Sequence, residues 1–233
     1  MSAVALFSTY GQGEEIPAVT ASAPAPSRMN LTQAHLSETA YIVKPGKWLV
    51  SLRQVSYGLF EKVAVETIPL YSFFGSWSLF GKVKLIDVDP WTWSVRGGIF
   101  YITLDSLPEI QHRALHRYVV SSMLSVRLSE IIYTHFSLSN SSLHGNILGK
   151  QLGLQVMNEL TNLDGDIEYR VSDKRRILGG SGYNFSTKIF SMGGSHYWDW
   201  TKVFLKFGLT FKMATAHQRG ISFLPFFDVG VHL

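Results

Sequence analysis

The chain has 233 residues, no cysteine and a formal net charge of +4, so disulfides and thiolate metal sites are excluded and no second domain is required. Only 16% of the residues are charged, while 46% are hydrophobic and 13% aromatic, well below the roughly 25% charged of a soluble domain. Lys and Arg are scattered rather than clustered, which argues against nucleic acid as a partner. No stretch reads as roughly eighteen mostly apolar residues, which argues against transmembrane helices.

Taken in order, residues 1–13 read as a signal-peptide remnant, with apolar Ala3 to Phe7 ahead of a cleavage region at Ser8 to Gln12. Without a basic start they fit equally a flexible apolar end. Residues 14–38, with Pro17, Pro24 and Pro26 among Ala and Ser, lack the apolar residues a fold needs and read as a flexible periplasmic linker. A short helical turn fits Asn30 to His35.

From Thr39 the pattern changes to a period of two. Thr39 to Val43 and Trp48 to Arg53 flank Lys44-Pro45-Gly46-Lys47, which predicts a first hairpin. In Ser76 to Asp87, Trp77, Leu79, Val83 and Leu85 alternate with Ser76, Ser78, Lys82 and Lys84. Trp93 to Thr103 sets Trp93, Val95, Ile99 and Tyr101 against Ser94, Arg96 and Gly98. Leu104 to Arg117 reads as a loop with a short helix.

Tyr118 to Leu128 and Ile131 to Ser139 form an expected hairpin across Ser129-Glu130, with Ser121, Ser125, Arg127, His135 and Ser137 on one face. Asn140 to Gly149 reads as a polar loop, and Gln151 to Leu160 fits strand or helix. Asp166 to Val171 turns through Ser172 to Arg175 into Arg176 to Asn184, and Ile189 to Trp200 is the next strand. The final hairpin alternates most clearly: Val203, Leu205, Phe207, Leu209 and Phe211 face away from Lys202, Lys206 and Lys212, and Phe223, Phe227, Val229 and Val231 continue after the turn.

These last strands exceed the five or six residues usual in globular sheets and match the roughly 9–11 of a membrane-spanning strand. The expectation is an all-β, closed antiparallel transmembrane β-barrel over residues 39–233, with about twelve strands and a range of roughly ten to fourteen. A soluble sandwich, whose apolar faces meet another sheet, is the competing architecture. Aromatics collect near strand ends: Trp48, Tyr57, Phe73, Phe74, Trp77, Trp91, Trp93, Tyr118, Tyr197, Trp198 and Trp200. In a barrel they form two interfacial girdles, and in a soluble fold they fill the core.

Two stretches resemble bacterial outer-membrane barrels. Tyr57-Gly58-Leu59 and the strand to Glu66 resemble a corner that joins strands on the periplasmic side. Val229, Val231 and Leu233 resemble the C-terminal signal of such proteins, with Leu where an aromatic is usual. The likeness to small uncharacterised barrels spans Thr39 to Leu233. It implies a Gram-negative outer membrane, with outer-membrane lipid and other envelope proteins as partners and no cofactor.

The inward faces collect Arg53, Lys82, Lys84, Arg96, Arg127, Arg170, Lys202, Lys206 and Lys212 against Glu168 and Asp228. In an open lumen such a set favours anions. Paired with carboxylates, the same charges plug a narrow barrel. The leading reading is a structural or pore-forming, porin-like barrel.

An enzyme is the second reading, because His135-Phe136-Ser137 is similar to the His-x-Ser region of outer-membrane lipid A deacylases. That likeness implies Ser137 as nucleophile and His135 as base. Leu138 stands where that family has Asn, the next Glu is Glu159, and the pair falls on the inward face, away from lipid. A soluble ligand-binding β protein is the third reading. No metal site is expected: His112 and His116 are four apart without a third ligand. Gly179-Gly180-Ser181-Gly182 lacks the Lys of a phosphate loop.

Overall fold

The computed structural model describes residues 34–103, 114–145, 158–200, 202–214 and 221–233. The strands are β1 Trp48–Ser51, β2 Val55–Phe60, β3 Val63–Thr67, β4 Trp77–Val88, β5 Trp91–Thr103, β6 Ala114–Arg127, β7 Ile132–Gly145, β8 Asn158–Ser172, β9 Arg175–Asn184, β10 Ile189–Asp199, β11 Val203–Ala214 and β12 Ile221–His232. Each pairs antiparallel with its sequence neighbour, and β1 pairs with β12 to close a barrel of twelve strands. Closure rests on a short contact, since β1 pairs with Gly230, Val231 and His232 of β12.

Alternation decides which side chains face inward. In β4, Ser78, Phe80 and Lys82 are buried while Trp77, Leu79 and Val83 are exposed. In β8, Glu168 is 0% exposed and its neighbour Ile167 is 57% exposed. The same parity holds in β11, where Lys206 is buried and Phe207 is exposed. A soluble domain hides such apolar groups. Here the interior is polar and the exterior apolar, an inversion characteristic of a barrel in lipid.

The two ends differ. At one end the strands are joined by tight links at Glu61-Lys62, Asp89-Pro90, residues 128–131, Asp173-Lys174 and residues 200–202. At the other end the connections 68–76, 104–113, 146–157 and 215–220 are longer, with 52–54 and 185–188 the short ones there. A 3-10 helix, Pro69–Phe74, lies in the first of these. Short periplasmic turns and long outer loops are the habit of outer-membrane barrels.

The aromatics follow these ends. Trp48 packs on Tyr57 at 4.5 Å near the tight links, and Trp77 stacks on Tyr101 at 5.4 Å at the opposite rim. Tyr197 is the exception: it points inward and is buried, stacked on Phe204.

Several local expectations are corrected. The hairpin expected from Thr39 to Arg53 does not form: β1 pairs with β12 and β2, residues 34–43 run inside the barrel, and 44–47 form the exposed link into β1. Their backbone groups find side-chain partners on the wall, which satisfies them as a strand ladder would. Gly58 lies inside β2 rather than in a corner, and the turn falls at Glu61-Lys62. The carbonyl oxygen of Lys44 occupies the place of a Cβ at Gly58, so a larger residue there would collide with backbone.

β7 continues to Gly145, into the stretch expected as a loop, and Asn140 Nδ2 donates to Thr161 Oγ1 of β8 at 3.0 Å. β6 begins at Ala114, so His116 sits on a strand beside Tyr101 rather than on a helical face. β8 begins at Asn158, well before the expected Asp166. The signal remnant, most of the linker and of the turn at Asn30 to His35, His112 and most of Gln151 to Leu160 lie outside the described residues.

Candidate functional site

Period two along β8 brings Asp164, Asp166, Glu168 and Arg170 to the lumen. Glu168 is the hub of one buried cluster. Its Oε1 accepts from Arg170 Nε at 2.7 Å and Arg176 Nη1 at 3.4 Å, and its Oε2 lies 3.2 Å from His135 Nε2. A carboxylate between two guanidiniums only accepts, so Nε2 carries the imidazole proton and Nδ1 is left as an acceptor. The Ser125 hydroxyl, 2.9 Å from Nδ1, then donates to it. Tyr133 lies under the Arg170 guanidinium at 3.7 Å and Tyr197 under Arg176 at 5.3 Å. Every member of this cluster comes from the barrel wall.

The second cluster sits on the adjoining wall, on β3, β4 and β5. Arg96 Nε lies 3.0 Å from Glu66 Oε2, its guanidinium lies 3.8 Å over the Phe80 ring, and its Nη1 is bonded to Glu38. Lys82 Nζ donates to the Thr39 carbonyl at 2.7 Å. Both partners from residues 34–47, Glu38 and Thr39, belong to a strap that crosses the interior.

That strap begins against β8 and β11. Lys206 donates to the Ala34 carbonyl, and His35 Nε2 lies 3.2 Å from Thr210 Oγ1. Asp166 Oδ2 accepts from Leu36 N at 2.8 Å and from the backbone and hydroxyl of Ser37 at 2.5 and 2.7 Å. The strap then reaches the far wall, where Ala40 N donates to Ser125 Oγ at 2.8 Å. Gly193 leaves room for the His35 ring, which a Cβ would strike. Ala34, His35, Ser37, Thr39 and Ala40 are buried, as are the wall residues around them. At this level the lumen is packed.

The basic residues singled out from sequence divide by height. Lys82, Arg96, Arg170 and Lys206 are buried in the lumen. Arg53 is half-buried: its backbone N donates to Asp228 Oδ1 at 3.2 Å and its guanidinium lies 5.2 Å from the Phe226 ring. Lys84 pairs with Asp87 and Arg127 with Asp89 near the tight-link rim. Lys202 is exposed in the link before β11, and Lys212 is exposed toward the opposite end of that strand. Arg176, Asp166 and Glu66 complete the buried set and were not singled out. Their parity on β9, β8 and β3 carried the signal.

His135 and Ser137 both face inward and are buried, and both ring nitrogens of His135 are engaged elsewhere, by Ser125 and Glu168. Ser137 Oγ instead accepts from Glu38 N at 3.4 Å. The serine hydrogen-bonded to His135 is Ser125, directly across the β6–β7 ladder. The hairpin link explains this. Ser129 Oγ accepts from the backbone N of Ile131 at 3.3 Å and of Ile132 at 3.1 Å, which makes the connection one residue longer than Ser129-Glu130. Ser125 therefore meets His135 rather than Thr134.

No family model matches the chain, and no curated protein does. Among solved structures it is similar to a KdgM porin in complex with disordered oligogalacturonate, at 9% identity and a TM-score of 0.45, over 80% of this chain and 95% of that one.

Proposed function

We propose that this chain is an integral, porin-like barrel of a Gram-negative outer membrane, in contact with outer-membrane lipid, and that its lumenal cations favour anions. The observation that carries the reading is the inverted polarity: Leu79, Ile167, Phe207 and Phe227 are exposed on the outer wall while Lys82, Glu168 and Lys206 are buried within. In water such an exterior drives aggregation, whereas hydrocarbon is its natural solvent. Aromatics near both rims suit the two interfaces.

The anion preference is supported by the buried wall charges. Lys82, Arg96, Arg170, Arg176 and Lys206 stand against Glu66, Asp166, Glu168 and Asp228, an excess of one cation among the described residues. Rings of Lys and Arg select anions when water fills the pore. A lipid hydrolase using Ser137 and His135 gains no support from this geometry, because both are enclosed and His135 serves other partners.

Two measurements test the reading. Refolded into detergent or lipid vesicles, the protein is expected to migrate faster on an SDS gel unheated than boiled. Solubility in plain buffer with no such shift would overturn the membrane assignment. In planar bilayers under a salt gradient, Lys212→Glu is expected to lower the chloride preference of open events. An unchanged reversal potential would remove the cations from selectivity.

A further inference from the structure

The strap of residues 34–47 is not needed to close the barrel. All twelve ladders run strand to strand, and the strap is bridged to β2 between Pro45 and Gly58. Inside the lumen it is held largely by polar contacts to side chains: Lys206 to Ala34, Asp166 to Leu36 and Ser37, Ser125 to Ala40 and Lys82 to Thr39. Its buried apolar side chains, Ala34, Ala40 and Val43, are small, while Leu36, Tyr41 and Ile42 are already partly exposed. A segment attached this way exchanges its polar bonds for water and gives up little fully covered apolar surface.

Charge points to the latch. The buried wall has one cation in excess, and Glu38 brings the balancing carboxylate onto Arg96. Glu38 Oε2, Glu66 Oε1 and Arg96 Nε and Nη2 are buried and have no hydrogen-bond partner among the described residues. The seated state is therefore imperfectly satisfied at the point where it is held, and a solvated lumen would satisfy those atoms.

Resting on the porin-like reading, we propose that residues 34–47 are a displaceable plug latched by Glu38 on a carboxylate station formed by Arg96 and Lys82, and that a carboxylate-bearing solute unseats it by taking that station. The chain's own Glu38 side chain is the stand-in for the ligand's carboxylate. Arg96 is suited to this role because a planar guanidinium gives one carboxylate, Glu66, a permanent place while leaving donors for a second.

Planar-bilayer recording of the full-length chain tests the proposal. Glu38→Gln is expected to raise the open fraction by about tenfold or more, the shift from losing one charge-assisted hydrogen bond. Succinate at millimolar concentration is expected to raise the open fraction of the wild-type chain, whereas chloride at equal ionic strength does not. Because the chain has no cysteine, Ala40→Cys with Ser125→Cys gives an unambiguous cross-link, expected to abolish openings when oxidised and to restore them on reduction.

Equal open fractions for Glu38→Gln and wild type would overturn the latch, and an oxidised double-cysteine chain that conducts would overturn the plug. An equal response to succinate and chloride would overturn the carboxylate station. All variants are checked for the fast-migrating unheated band. Its loss in the variants alone would make the strap part of the folded wall and overturn a displaceable plug. Its absence from the wild-type chain would overturn the membrane reading instead, and the plug with it.

Discussion

Two buried charge clusters occupy neighbouring parts of the wall, one on β3 to β5 and one on β6 to β9, and they are built on different plans. The cluster around Glu168 draws Arg170, Arg176, His135 and Ser125 from β6 to β9. Its charged members all come from the wall, and the strap meets it through Ala40 N on Ser125 Oγ and the Tyr41 ring beside His135. The cluster around Arg96 takes Glu66 from the wall and Glu38 from the strap. Chemistry that is closed on itself holds a structure together, whereas chemistry that borrows a partner from a separate segment can report whether that segment is in place.

The largest expected effect tests the first half of this contrast. Glu168→Ala leaves two guanidiniums buried without their shared carboxylate, a loss of about 3–5 kcal/mol, read as a lower urea midpoint for the unheated gel band. Glu66→Gln is expected to cost less, about 2 kcal/mol, because Arg96 still holds Glu38 and only its ion pair with Glu66 is lost. Should Glu66→Gln match Glu168→Ala, the clusters are equivalent and the contrast collapses. Ser125→Ala is the smallest change, about 1 kcal/mol for a neutral hydrogen bond. Since Ser125 touches both His135 and Ala40, it is expected to raise channel openings while barely moving the urea midpoint.

Much of the barrel was legible in the sequence because its outer face meets only apolar surroundings. In β4, β5 and β11 large apolar side chains alternate with Ser, Lys and Arg, and contrast at every second position specifies the face. Near the rims that contrast fades. Ser139 to Gly145 and Asn158 to Asp164 are polar on both faces, so β7 and β8 looked like loop and undecided segment while the strands continue through them.

The strap was misread for a related reason. Thr39 to Val43 is β-prone, but its backbone is satisfied by Lys82 and Ser125 side chains whose position no local pattern reveals. Within the site, parity put Lys82, Arg96, Arg170 and Lys206 on one face of their strands, and all four are buried. Parity gives the face and not the height, so which carboxylate each would meet stayed hidden. The His135 partner depended on a single residue of hairpin length at Ser129.

The strap's contacts join parts of the chain that are far apart in sequence, with Ala34 meeting Lys206 across 172 positions and Leu36 meeting Asp166 across 130. Contacts of such span form late, since the intervening loop must close before they reward it. The β1–β12 ladder that closes the barrel spans 183 positions between Leu49 and His232, so seating of the strap and closure of the wall both belong to the late events of assembly. On the plug reading proposed above, a closed barrel whose strap is not yet seated is expected to conduct.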